Sequence, residues 1–228
     1  MPFMYWTSNE VSTAPAAAAW REIFPEFRVF TDEDVIPLLP QNFVQIYKLI
    51  RLPSAKSDIA RLILLREFGG FYLDAHMGPT APSDLLVTLD KIFEYNVILF
   101  GKGWLIQKPT DFDLMNGAIA ARKHAPELDP LINRIIDNIE HQWQKEQSTP
   151  DYVPYSLFGL TGTYTFLQSF FEETESRPKL KPEFEKTIFL HFMKDNRQSG
   201  FEIASHYSYR KPGGHWSERQ THERFFLK

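Results

Sequence analysis

Hydrophobic and polar positions along this chain follow two periods, and the switches between them mark out its elements. Phe3 to Thr7 is a short aromatic and β-branched run that predicts a strand, and Phe27 to Phe30, before Thr31-Asp32-Glu33-Asp34, predicts a second. Between them Ala17, Trp20 and Ile23 recur at helical spacing, which predicts a helix over Ala14 to Phe24 that Pro25 stops. Strand, helix, strand is how an α/β domain opens. Ser54 is placed to cap a helix running to about Phe68, with Ile59, Leu62, Ile63 and Leu65 on its apolar side and Gly69-Gly70 ending it. The period then becomes two. In Phe71-Tyr72-Leu73-Asp74-Ala75-His76 the alternation puts Phe71 and Leu73 on one face and Tyr72, Asp74 and His76 on the other.

Further along, Asn96 to Phe100 predicts a buried strand, and Asn116 to His124 a short helix entered from a loop. Asp129-Pro130 opens a longer helix whose stripe is Leu131, Ile132, Ile135, Ile136, Ile139 and Trp143. Thr161-Gly162 opens another through Phe171. Residues 174–182 are a polar, proline-containing connector, Thr187 to Phe192 is a strand, and the tail beyond is irregular. The chain has no internal repeat and no low-complexity block.

One window concentrates polar chemistry. Asp58 and Arg61 are three apart on a helix and so share a face, just before the strand that carries Asp74 and His76. In open α/β sheets ligands bind outside the carboxyl ends of the strands, where these four side chains are placed. A carboxylate and an imidazole two apart on an extended segment suit one divalent cation, Mn²⁺ in particular. Each signal has a plainer reading when taken alone. Asp-x-His usually marks a turn, Asp58 with Arg61 is usually a surface ion pair, and Gly-Gly is an ordinary helix stop.

Composition narrows the classes. The chain has 228 residues, 43% of them hydrophobic, which suits one substantial core better than two. Aromatics reach 15%, enough to supply flat faces for bases or sugars as well as core. A net charge of -4 without a long basic run argues against an extended nucleic-acid partner. The absence of cysteine excludes disulfides, thiolate nucleophiles and sulfur-built zinc sites, and suits a reducing compartment. The first ten residues do not read as a leader, and no apolar stretch reaches the ~20 residues of a membrane span. The expectation is therefore a cytoplasmic chain with no transmembrane segment, which leaves peripheral membrane contact open.

Ser57-Asp58-Ile59-Ala60-Arg61 followed by Gly69-Gly70-Phe71-Tyr72-Leu73-Asp74-Ala75-His76-Met77 closely resembles the sugar-binding region of glycosyltransferase family 32. That family includes yeast-type initiating mannosyltransferases and bacterial capsule transferases, with the clostridial glucosylating toxins as relatives. The resemblance implies a GT-A type nucleotide-sugar-binding fold: one α/β domain, 1–228, with a mixed central sheet flanked by helices. Residues 1–110 would form the donor half, and 111–228 the acceptor half with a closing tail. It also implies that Asp58 and Arg61 hold the donor sugar, that Tyr72 supports it, and that Asp74 opens the Asp-x-Asp motif at the metal, these two acids and Arg61 being the catalytic set. Tyr5 and Trp6 stand where the family places its nucleotide strand, Asn116 where a loop lines the acceptor side, and Thr161-Gly162 where it has Thr-Gly-Pro.

The departure is His76, where the family usually carries a second Asp. Losing that charge favours Mn²⁺ over the harder Mg²⁺. Polypeptide N-acetylgalactosaminyltransferases are similar in having Asp-x-His and a later histidine ligand. Of the tail histidines His191, His206, His215 and His222, the one in Gly213-Gly214-His215-Trp216-Ser217 is the best candidate, because relatives close the donor site with a tryptophan-bearing loop. Arg210, Lys211 and Arg219 offer positive charge for a leaving group, although solvated tail charges are their plainer reading. The expectation is a metal-dependent, retaining transfer of a hexose from a UDP- or GDP-sugar to a glycan or protein hydroxyl, in bacterial surface-glycan synthesis. The alternative is an impaired relative that binds nucleotide-sugar or glycan without transfer.

Overall fold

The computed structural model describes residues 1–7, 14, 16–80, 82–102, 113–172, 179–193, 200–203 and 213–227. In chain order the strands are β1 (Pro2–Tyr5), β2 (Arg28–Phe30), β3 (Gly70–Leu73), β4 (Met77–Pro79), β5 (Val97–Lys102), β6 (Asp113–Ala121), β7 (Ile188–Met193) and β8 (Phe201–Ile203). The α-helices are α1 (Ala17–Ile23), α2 (Asp32–Val35), α3 (Val44–Leu49), α4 (Pro53–Phe68), α5 (Pro82–Leu89), α6 (Leu128–Gln147), α7 (Leu157–Leu160), α8 (Thr163–Phe170) and α9 (Trp216–Arg219). Six strands form one mixed sheet in the order β2-β1-β3-β6-β5-β7, and β4 pairs with β8 beside it. β1 is parallel to β2 and β3, β6 runs antiparallel between β3 and β5, and β5 is parallel to β7. The expected α/β domain of GT-A type, a mixed central sheet flanked by helices, is what the chain forms.

Strand alternation sorts the core into two layers. Phe3, Tyr72, Leu99 and Ile119 face α4 and α6 in the larger cluster; Met4, Phe71, Leu73 and Phe100 face Trp20 of α1 and Met77 in the other. The stripe read from α6 holds, with Leu131, Ile132, Ile135, Ile136 and Ile139 buried. Gly70, at φ +113, starts β3 where an added Cβ would meet the Met1 carbonyl oxygen at 2.3 Å, so this turn out of α4 requires glycine.

Three expectations are corrected. The helix proposed for Asn116 to His124 is strand β6, central in the sheet. Its alanines favour a helix in isolation, but β3 and β5 take its backbone groups and both its faces are buried, Ala118, Ile119, Ala120 and Ala121 being at most 2% exposed. Ser54 does not cap α4. Leu52 is the N-cap residue without a side-chain bond, and Pro53 starts the helix with its φ already set. The strand drawn to His76 stops at Leu73, because Asp74 C=O accepts the Met77 N–H at 2.9 Å and closes a turn over Ala75 and His76. Asp74-Ala75-His76 therefore forms a turn, and only its first residue continues from the strand. His206, Arg210, Lys211 and most of the 174–182 connector lie outside the described residues.

Candidate functional site

α4 presents Ser54, Asp58 and Arg61 at i, i+4 and i+7, one stripe that forms a wall of a cleft of about 130 Å³. Asp74 reaches the same cleft from the end of β3, and Asn116 from β6. Leu157, Phe158, Gly162, Thr163 and Trp216 complete the lining. β6 gets Asn116 there through a break in register: Leu99 pairs with Ile119 but Phe100 pairs with Met115, so residues 116–118 bulge from the β5 ladder. Re-aimed in this way, Asn116 Nδ2 donates to Asp58 Oδ1 at 3.1 Å.

Arg61 is the hub. Its Nη2 lies 2.9 Å from Asp58 Oδ1 and 3.2 Å from Asp74 Oδ1, its Nε donates to the Ser57 carbonyl at 3.1 Å, and its Nη1 donates to the Asn116 carbonyl. The guanidinium carbon sits 4.8 Å from the Tyr72 ring centre. Tyr72 in turn donates to Asp74 Oδ1 at 2.8 Å, and its hydroxyl is 2.8 Å from Ser57 Oγ. Thr161 Oγ1 donates to Asp58 Oδ2 at 2.6 Å. The pair read as ambiguous in the sequence is thus a buried one: the Arg61 and Asp58 side chains are 4% and 8% exposed, Asp74 22%.

Burial sets the electrostatics. It pushes the Asp58 carboxyl up to about 6, with Arg61 and the Thr161 hydroxyl holding it from going higher. Burial pulls the Arg61 guanidinium down, but Asp74, Tyr72 and Asp58 more than reverse this, so it stays charged. Tyr72 is pushed well up, chiefly by burial, and stays a hydrogen-bond donor. A fixed cation between two carboxylates, one of them opening to the cleft, can orient a polyol and meet a phosphate.

Gly117 makes room for this arrangement. Its carbonyl accepts the Asp74 N–H at 2.8 Å, and an added Cβ would come within 2.6 Å of Asp74 Oδ2 and 2.7 Å of Met77 Cε. Gly117→Ala is therefore expected to displace the Asp74 carboxylate and to lower any activity that depends on this cleft by about 100-fold, read as kcat/KM beside a thermal melt.

The remaining expected residues are placed as follows. Tyr5 is buried at the end of β1, where its hydroxyl and that of Tyr47 donate to Asp32 Oδ1 at 2.5 and 2.8 Å while Lys56 Nζ lies 2.9 Å from Oδ2. It braces the strand end and does not line the cleft. Trp6 follows it, half-buried against the second core cluster. Trp216 lines the cleft, its ring 5.3 Å edge-on from Phe158. His215 caps α9, with Nδ1 2.7 Å from Ser217 Oγ, and neither it nor His76 lines the cleft. Among the described residues no three His, Asp or Glu side chains converge, so Asp74, His76 and His215 are not brought together as a ready metal cage. Sequence reasoning missed Phe158 and the register break behind Asn116, neither of which has a local signature. A larger hollow of about 450 Å³ lies elsewhere, between Leu49, Trp143, Arg224 and Phe226. Its charged groups, Glu146 and Arg224, satisfy each other, so the smaller cleft is the chemical one.

Residues 17–97 match the model of a family described as a glycosyltransferase sugar-binding region containing a DXD motif. Over 62 residues, 27% of this chain, the sequence is 40% identical to Cytotoxin-L of Paraclostridium sordellii, and a further Cytotoxin-L sequence from that organism is 39% identical over 62 residues. The match spans about 2% of the length of those relatives. Among solved structures, the PaToxG glycosyltransferase aligns with a TM-score of 0.45 and 14% identity, covering 74% of this chain and 67% of that one. Asp58, Arg61 and Asp74 all fall inside the matched 17–97 stretch. No helix among the described residues is long and apolar enough to cross a membrane.

Proposed function

We propose that this chain is a glycosyltransferase that moves a hexose from a UDP- or GDP-linked donor to a hydroxyl of a glycan or protein, with retention at the anomeric carbon. The observation that carries the proposal is the Asp58–Arg61–Asp74 array on the cleft wall, within the stretch that matches a sugar-binding region. Charges this deeply buried are expensive to keep for stability alone. The cleft also has the mixed character of a sugar, lined by polar residues of α4 and by the apolar Leu157, Phe158 and Trp216. At about 130 Å³ it is well below the roughly 300–1,000 Å³ that encloses a drug-sized ligand, so it suits the glycosyl ring, with the nucleotide extending outside it.

In this reading Asp58 keeps acceptor capacity beyond its bonds to Arg61, Asn116 and Thr161 and takes a sugar hydroxyl. Arg61 fixes both carboxylates, and Tyr72 orients Asp74. Asp74, the carboxylate that opens to the cleft, would hold a divalent ion there, whereas His76, in the turn after β3, does not line the cleft. Mn²⁺ or Mg²⁺, when bound there, would supply Lewis-acid stabilisation of a leaving diphosphate.

The test is incubation with UDP- and GDP-sugars plus Mn²⁺, following donor hydrolysis. The absence of both hydrolysis and binding of every donor would sink the proposal. Tight donor binding with no turnover would select the alternative of binding without transfer. Ionised Asp58 is needed to accept the sugar hydroxyl, and its carboxyl sits at about 6. The donor KM is therefore expected to rise as pH falls through that value and to be flat above it, measured between pH 5 and 8.

A further inference from the structure

Trp216 reaches the cleft from a chain segment whose anchorage lies elsewhere. Glu146 stands in the last turn of α6, where the helix dipole disfavours a carboxylate, and its side chain is 1% exposed. A carboxylate buried there persists only if fully satisfied. It accepts the backbone N–H of Phe225 at 2.9 Å and of Phe226 at 3.4 Å, Gln142 Nε2 at 3.1 Å and Arg224 Nε at 3.2 Å. Three of these four donors belong to the C-terminal segment. Arg224 completes the crossing: its Nη1 donates to the carbonyls of Thr149 and Asp151, and its Nη2 to that of Glu146, which caps the end of α6.

From this anchor to the cleft the chain is braced at each step. Arg219 makes two bonds to Glu223, at 3.0 and 2.8 Å. Gln220 Oε1 accepts the N–H of Leu157 at 3.0 Å, and its carbonyl accepts Tyr152 Oη–H at 2.5 Å. Leu157 and Phe158 form the apolar wall that Trp216 completes. Gln220 therefore ties together the two pieces of that wall, one from α7 and one from α9.

We infer that Glu146 and Arg224 form a latch that sets the Phe158–Trp216 wall at the cleft lined by the Asp58–Arg61 stripe of α4. This makes Glu146, Arg224 and Gln220 positioning residues for donor binding, although none of them lines the cleft. The inference rests on the donor reading of the cleft. Glu146→Gln keeps the size of the side chain and one acceptor oxygen while removing its charge. It is expected to raise the donor KM about three- to tenfold, the worth of one displaced aromatic contact, with kcat unchanged. Amide hydrogen exchange at 157–160 and 216–220 should quicken at a temperature well below melting.

Gln220→Ala, a milder change, should do the same if Glu146→Gln folds poorly. In a Trp216→Ala background Glu146→Gln should raise KM no further, since both act through one wall. Unchanged KM and exchange in both single variants, or fully additive effects with Trp216→Ala, would overturn the latch. If the wild-type protein neither binds nor turns over any nucleotide-sugar, the donor reading fails, and the exchange measurement alone decides whether Glu146 holds the Trp216 turn.

Discussion

Asp74→Asn is expected to lower turnover of a nucleotide-sugar donor by about 100-fold or more, while the protein melts within a few degrees of wild type. The two halves of this expectation have different causes. Asparagine has the same shape and keeps a carbonyl oxygen for the Tyr72 hydroxyl, and Arg61 retains Asp58 as its ion-pair partner, so the packing around α4 stands. What is lost is the negative charge at the end of β3, on the cleft side of the array. A divalent ion bound at the cleft would depend on that charge, and the second ion pair that steadies Arg61 does depend on it. Activity with each donor beside a thermal melt decides the matter. An Asp74→Asn protein with wild-type turnover would remove Asp74 from the reaction, whatever else the cleft binds.

Arg61→Met is expected to be the most damaging single change to stability, by about 3–5 kcal/mol, which is roughly 10 °C in Tm for a chain of this size. Methionine fills much of the arginine's volume but leaves Asp58 buried without its cation and strips the Ser57 and Asn116 carbonyls of their donor. The pH dependence of the deficit identifies the cause. Burial already raises the Asp58 carboxyl from its ordinary 3.8 to about 6 with Arg61 present, and losing the cation raises it further. A group raised on folding favours the folded state below its unfolded value and disfavours it as pH climbs through the folded one. The Tm deficit of Arg61→Met should therefore be small near pH 4 and grow through pH 6 and above. A deficit constant across that range would assign the loss to packing instead of to charge. Arg61→Lys is no rescue, because one ammonium cannot span Asp58, Asp74 and two carbonyls as the planar guanidinium does.

Much of the site was legible because its residues lie on one short stretch and obey local periods. Three-residue spacing puts Asp58 beside Arg61 on any helix, and the Gly69-Gly70 stop brings β3 back along it; both follow from backbone geometry without knowledge of the rest of the fold. Tyr72 and Asp74 fall on the α4 face by the same logic, and the hydrogen bond between them bears this out. The reading failed where a non-local partner set the conformation. Asn116 to Ala121 has helix-forming alanines, yet it is the strand that fills the gap between β3 and β5, and only the assembled sheet contains that gap. Ser54 has a capping side chain, but Pro53 begins the helix one residue earlier. His76 loses its place on the strand face to a turn closed by Met77, which pairs onward with β8 more than a hundred residues away.

The sequence by itself therefore determined the α/β order, the acid–base stripe on α4 and the carboxylate after β3, since each depends on neighbours within a few turns of chain. Tertiary structure alone decided that Asp58 and Arg61 are buried and not a surface pair, that Asn116 arrives from a broken strand register, and that Glu146 and Arg224 hold the tail carrying Trp216. Those outcomes depend on contacts between segments far apart in the chain, such as Asn116 with Asp58 at a separation of 58 residues and Thr161 with Asp58 at 103, whose energies exist only once the sheet has brought them together.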